Sequence, residues 1–287
     1  MKGPAAPVVV GVDGSSSALE AVRWAADDCT RHHAPLRLVH GYLLPTHGLP
    51  EALLTSTEVR RAIEAQARTW LDAAAEVARA EALGIEVTTH VATWGAATLL
   101  IEESREARLI VLGSQGLGGV TGLLVGSTAL ALASHGRCPL VVVRGTPPPR
   151  GPVVVGVDGS PASEAAIAFA FEAASMRDTS LTVVMAWHNF MIGSAPQVEI
   201  NWDHVEEEQQ RLLAQRLAGW QEKYPDVQVQ RVVVRDRPVR ALMGFGEQAQ
   251  LLVVGSHGHG GFAGMLIGST SQALVYHAPC PLAIVRP

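Results

Sequence analysis

VVVGVDGSSSALEAVRWAADDCTRH, residues 8–32, runs from a β-branched stretch through a turn into an Ala-rich amphipathic segment. Four valines in the first five positions favour a buried strand, and Asp-Gly-Ser is turn chemistry. The serines that follow can cap a helix whose apolar side is supplied by Leu19, Val22, Trp24 and Ala26. A strand that turns straight into a helix is half of a βαβ unit, which predicts a parallel sheet with right-handed crossovers. The octet VVVGVDGS returns unchanged at 153–160, so Asp158 stands where Asp13 stood.

Other segments repeat with it. LRLVHGY (36–42) matches LTVVMAW (181–187), LIVLGS (109–114) matches LLVVGS (251–256), and CPLVVVR (138–144) matches CPLAIVR (280–286). One unit has been written twice, and the expected domains are 1–146 and 151–287. GTPPPRGP (145–152) lies at the join, and its prolines favour an extended spacer over a helix. In the first half, irregular residues 43–57 precede a long helix, TEVRRAIEAQARTWLDAAAEVARAEALG, with Gly84 as its natural stop. IEVTTHVAT reads as strand three, GAATLLIEESREA as a helix, LIVLGS as strand four, STALALASHGR as a helix and PLVVVR as strand five. In the second half, 188–204 is irregular and NWDHVEEEQQ reads as a solvated helix start. The predicted fold is α/β: two tandem Rossmann-like domains, each a five-stranded parallel sheet with helices on both faces. Ligands of such sheets bind beyond the carboxyl ends of the strands where strand order reverses, and Asp13 and Gly113 end two strands there.

The strand-four loops carry the chemistry. GSQGLGGVTGLLVGST (113–128) and GSHGHGGFAGMLIGST (255–270) each hold six glycines at identical spacings. Gly113, Gly116, Gly126 and Ser127 correspond to Gly255, Gly258, Gly268 and Ser269. Glycine lets backbone N–H groups approach a ligand with no Cβ between them. Ser127 and Thr128, like Ser269 and Thr270, open a helix, whose unpaired N–H groups and dipole favour a phosphate. No G-K-S/T follows, which excludes a Walker P-loop, and the glycines follow a fourth strand instead of opening the first βα unit.

Composition narrows the rest. The chain has 287 residues, is 48% hydrophobic and carries a net charge of −5. Mild acidity without a basic stripe argues against nucleic acid as the main partner. No apolar run reaches the 18 or so residues of a membrane span, and the N-terminal valine run is too short for a signal peptide. A cytoplasmic protein is expected. Cys29, Cys138 and Cys280 lack metal or disulfide spacing. The Cys-Pro pairs at 138 and 280 read as buried thiols at strand entrances.

These motifs resemble the universal stress protein family, whose nucleotide-binding branch carries G-x2-G-x9-G-S/T after strand four and an Asp at the end of strand one. Both halves match throughout, and the resemblance covers essentially the whole chain, closest to the tandem proteins of mycobacteria and related actinobacteria. It implies the adenine nucleotide α-hydrolase-like fold and two ATP molecules per chain, with Mg possible on their phosphates. By similarity, Asp13 and Asp158 lie at the adenosine moiety, and the backbone at Gly41 and Ala186 borders adenine. Gly113, Gly116, Gly126, Ser127 and Thr128 then hold ribose and triphosphate, with Gly255, Gly258, Gly268, Ser269 and Thr270 doing so in the second half. Each Asp also has a plainer reading, as a turn residue of VDGS. The resemblance further implies pairing through strand five, a homodimer and a protein partner of unknown identity.

An ATPase needs charge-stabilising and water-orienting groups. The first loop offers no cation; the second offers His257 and His259 as donors to phosphate. No Ser-His-Asp triad or metal spacing is present. The expected function is that of a nucleotide-dependent regulator in a stress response with at most slow hydrolysis. The alternative is an ATPase or nucleotidyl-transferring enzyme of the same superfamily, against which the missing SGGxDS-type loop weighs.

Overall fold

A computed structural model describes residues 6–43, 57–116, 126–145, 148, 150–187, 202–258 and 266–287. The chain divides into two compact units, Met1–Arg144 and Gly145–Pro287.

In the first unit the described elements are β1 (Val8–Gly11), α1 (Ser16–His32), β2 (Leu36–Gly41), α2 (Thr57–Glu81), β3 (Val87–Ala92), α3 (Ala96–Glu103), β4 (Leu109–Gly113), α4 (Ser127–His135) and β5 (Leu140–Val143). Strand order is β3-β2-β1-β4-β5, with parallel ladders. The inner strands are covered on both faces, which is why they read as unbroken valine and leucine: Val8, Val9 and Val10 are wholly buried. Order reverses between β1 and β4, whose carboxyl ends open a crevice.

Ser15 starts α1 as expected, accepting a hydrogen bond from the Ala18 N–H at 3.2 Å. The helix face differs from the sequence reading. Ala18, Ala21, Val22, Ala25, Ala26 and Cys29 are buried, while Leu19 and Trp24 are only half-buried. Small side chains let the helix axis approach the sheet, and the larger ones are displaced to the flank. α2 likewise stops at Glu81, before Gly84, which takes φ +83° in the following turn.

The second unit repeats the plan with β6 (Val153–Val157), α5 (Pro161–Met176), β7 (Leu181–Trp187), α6 (Trp202–Lys223), β8 (Val229–Arg235), α7 (Pro238–Gly246), β9 (Leu251–Gly255), α8 (Ser269–His277) and β10 (Leu282–Val285). Its order is β8-β7-β6-β9-β10, again parallel. His204 and Glu206–Glu208 are exposed, as a solvated helix start requires. Among the described residues no helix is long and apolar enough to cross a membrane.

Candidate functional site

In the first unit the carboxyl ends of β1, β2 and β4 and the starts of α3 and α4 surround a cleft of about 640 Å³, counted with its open mouth. Asp13, Gly41, Gly113, Gly116, Gly126 and Thr128 all line it, drawn from four separate stretches of sequence. Ser127 is the exception: it is exposed at the first position of α4 and is not part of the lining. Val39, Ala96, Leu99, Leu100 and Leu112 give the cleft an apolar wall. His40 and Gln115 also border it.

The aspartate combines the two readings given to it. Asp13 Oδ1 accepts from the Ser15 N–H at 3.0 Å and from Ser15 Oγ at 2.6 Å, which is an Asx turn. Oδ2 is directed at the glycine loop, since a Cβ built on Gly116 would lie 2.6 Å from it. The second unit does the same: Asp158 Oδ1 accepts from the Ser160 N–H at 3.0 Å, and its Oδ2 would clash with a Cβ on Gly258. The turn therefore aims the carboxylate along the cleft.

The glycines have different reasons to be glycine. Gly113 packs against α1, where a Cβ would sit 2.5 Å from the Ser17 backbone, and Gly255 stands 2.8 Å from the Ala162 backbone in the same sense. A Cβ on Gly41 would meet the Trp94 carbonyl at 2.7 Å. Gly116 and Gly258 are held by the aspartates, a constraint the spacing of the loop does not reveal. Gly126 differs from all of these. Its φ of −71° and ψ of 151° suit any residue, and a Cβ there would meet no atom of the described residues within 4 Å. It is the N-cap of α4 and offers no side-chain hydrogen bond to the helix start. Gly268 caps α8 at φ −67°, ψ 148°, and among the described residues a Cβ on it would meet nothing closer than 3.4 Å.

The strand-four loops are pinned by serines. Ser17 Oγ donates to the Gln115 carbonyl and accepts from the Gln115 N–H at 3.1 Å. In the second unit Ser160 Oγ donates to the His257 carbonyl at 3.3 Å, and Ser271 Oγ donates to the Gly255 carbonyl at 2.6 Å. His257 Nδ1 lies 3.1 Å from Ser256 Oγ, and Gly268 donates its N–H to the Ser256 carbonyl at 2.8 Å. Ala186 lies near the end of β7, half-buried and in register with Val234. Ser269 and Thr270 open α8. His259 lies outside the described residues.

Burial pushes the Cys29 and Cys138 thiols up to about 12, which makes them inert near neutral pH. Among the described residues no group of three His, Cys, Asp or Glu side chains is placed to hold a metal ion. His40, Ser17 and Trp70 were not singled out from the sequence. A signal for His40 existed, as the one polar residue in the buried run LRLVH besides Arg37.

Comparison with known proteins gives a consistent result. The model of the universal stress protein family matches residues 5–144 and again 149–286. A universal stress protein of Mycolicibacterium smegmatis is 40% identical over 287 residues, covering 98% of this chain and 97% of its own. One from Mycobacterium tuberculosis strain H37Rv is 38% identical, covering 97% and 96%. Among solved structures, a universal stress protein from Archaeoglobus fulgidus matches with a TM-score of 0.71 at 16% identity, covering 98% of this chain and 96% of that one. This last likeness bears on the fold alone.

Proposed function

Given that the chain belongs to the universal stress protein family, we propose that each unit binds an adenine nucleotide. The nucleotide is ATP, with magnesium carried on its phosphates, and its occupancy governs association with another macromolecule during stress. The observation that carries this reading is Gly126. Every other described glycine of the first cradle is required by protein packing, whereas Gly126 leaves a helix N-terminus without a side-chain cap and, among the described residues, no atom near the place of a Cβ. A serine there would close the helix start, as Ser15 and Ser160 do for α1 and α5 from nearly the same backbone angles. An open N-terminus beside a cleft suits an external anion.

In this reading Asp13 and Asp158 accept from ribose hydroxyls, and the apolar wall of Leu99, Leu100 and Val39 takes the base. Thr128 and the first N–H groups of α4 hold phosphate, with Thr270 and α8 as their counterparts. The protein is a regulator and homodimer of the cytoplasm, with turnover far below the ~1–10³ s⁻¹ typical of enzymes. Gly126 itself provides the test. Gly126→Ser should raise stability by roughly 0.5 kcal/mol, because serine is the better cap. It should also lower ATP released on denaturation from two equivalents per chain towards one. Melting curves and quantified nucleotide release read the two effects separately. Wild-type protein that releases no nucleotide after saturation, or a Gly126→Ser chain that still releases two equivalents, would defeat the reading.

A further inference from the structure

The Val12 carbonyl, one residue before Asp13, lies 2.6 Å from His40 Nδ1 on β2. A carbonyl oxygen can only accept, so Nδ1 carries the proton, and the neutral ring is the Nδ1–H tautomer with its lone pair on Nε2. His40 is 9% exposed, and its imidazole meets Trp70 of α2 edge-on, with ring centroids 5.3 Å apart. Trp70 in turn covers the residue after the aspartate. Gly14 has φ +87°, and a Cβ on it would sit 2.6 Å from Trp70 Nε1 and Cε2. Asp13 is thus bracketed, with the residue before it bonded to His40, the residue after it covered by Trp70, and the two rings in contact.

The second unit builds the same turn without this bracket. Met185 stands in the place of His40 and has no proton to donate; Val157 pairs with it within the ladder, whereas pairing of β1 with β2 stops at Gly11 and Val39. Gly159, at φ +85°, is covered by the Arg216 guanidinium, which is held to Glu164 at 2.9 Å.

We propose that His40 is a positioning residue for ligand binding by the first unit. Its Nδ1–H ties down the Val12 carbonyl and, with Trp70, sets the Asp13 carboxylate against Gly116. The affinity of the first cradle then depends on an imidazole that the second cradle does without. This inference rests on the nucleotide-binding reading above.

The test uses the full chain carrying Gly258→Ala, so that uptake of labelled ATP reports the first cradle, and a Gly116→Ala chain to report the second. His40→Leu removes the donor; His40→Asn keeps an N–H near the Nδ1 position. The expected result is at least a tenfold loss of affinity in the first cradle for His40→Leu, recovery to within about threefold for His40→Asn, and no change in the second cradle for either. Packing alone would not give recovery by the smaller, polar side chain. A second readout needs no nucleotide: histidine ¹⁵N spectra of the wild-type chain should show the ring signal that His40→Asn deletes in the Nδ1–H form. An Nε2–H ring, equal losses for Leu and Asn, or uptake indifferent to both overturns the proposal alone. No uptake with His40 intact in the Gly258→Ala chain, while the ring is Nδ1–H, overturns the nucleotide reading and takes this proposal with it.

Discussion

The two units hold one turn by different means. In the first, Ser17 grips the backbone of Gln115 in both directions, so the strand-four loop is tied to α1. In the second, the position of Ser17 is Ala162, and the serine has moved one residue on. Ser163 Oγ accepts instead from the N–H groups of Asp158 and Gly159, at 3.2 and 3.4 Å. The loop there is tied to the start of α5 by Ser160, and to α8 through Ser271, where the first unit has Ala129. The Gly-Val-Asp segment that borders the first unit's cleft is identical in both, while the hydrogen bonds behind it have been redistributed. A given backbone path can be enforced from either side, so the supports drift while the face they support does not.

The largest effect expected on this comparison comes from the glycines beneath the aspartates. Gly116→Ala and Gly258→Ala each force a carboxylate out of line and should weaken their own cradle by roughly tenfold to a hundredfold, the worth of a hydrogen bond to a charged group. Titration of each variant with ATP checks this, and a loss confined to one cradle breaks the claimed equivalence. Next come the redistributed serines. Ser17→Ala gives the first unit the second unit's residue, and Ser271→Ala does the reverse. Each should cost about 1 kcal/mol by denaturant unfolding and weaken only its own cradle several-fold. If Ser17→Ala weakens both, the supports are not independent.

The smallest effect near neutral pH concerns two thiols of the first unit, the buried Cys29 and Cys138, which is only half-buried where the sequence predicted burial. Burial raises Cys29 and Cys138 to about 12 when folded, above the ordinary thiol value of 9.0. The unfolded chain therefore releases these protons first. Stability from them is complete below pH 9 and declines between pH 9 and about 12, by up to ~1.4 kcal/mol per pH unit per thiol. Cys29→Ala should flatten that alkaline slope; an unchanged slope would show that this thiol is not the cause.

Much of this was legible in the sequence, and the residues show where legibility ended. Unbroken valine runs and the repeated octet were enough to predict a five-stranded parallel sheet in each half, though not its strand order, and glycine spacing located the loops. Spacing does not report how closely two segments approach. Gly113 and Gly255 looked like ligand residues and are needed where a strand end meets a helix. Gly116 looked like a phosphate contact and first makes room for a carboxylate. The α1 face was read from its large side chains because hydrophobicity scales weigh Leu19 and Trp24 above alanine, although alanine is what allows close packing. His40 was missed because its partner, Val12, is 28 residues away and offers only a carbonyl.

The unfinished start of α4 has a consequence for how long the protein lasts. A helix whose first turn is completed by a solute makes the folded state's advantage over the unfolded one a function of solute concentration. Saturation at a hundred times Kd adds about 2.7 kcal/mol by mass action alone. Degradation that proceeds through the opened chain would slow by about a hundredfold over that range. If that solute is ATP, as proposed, its cellular level would set the abundance of the protein, so that energy depletion clears it. Digestion rates measured against ATP concentration, in wild type and in Gly126→Ser, would expose this coupling; the serine variant, already capped, should be cleaved at a rate that ATP changes less.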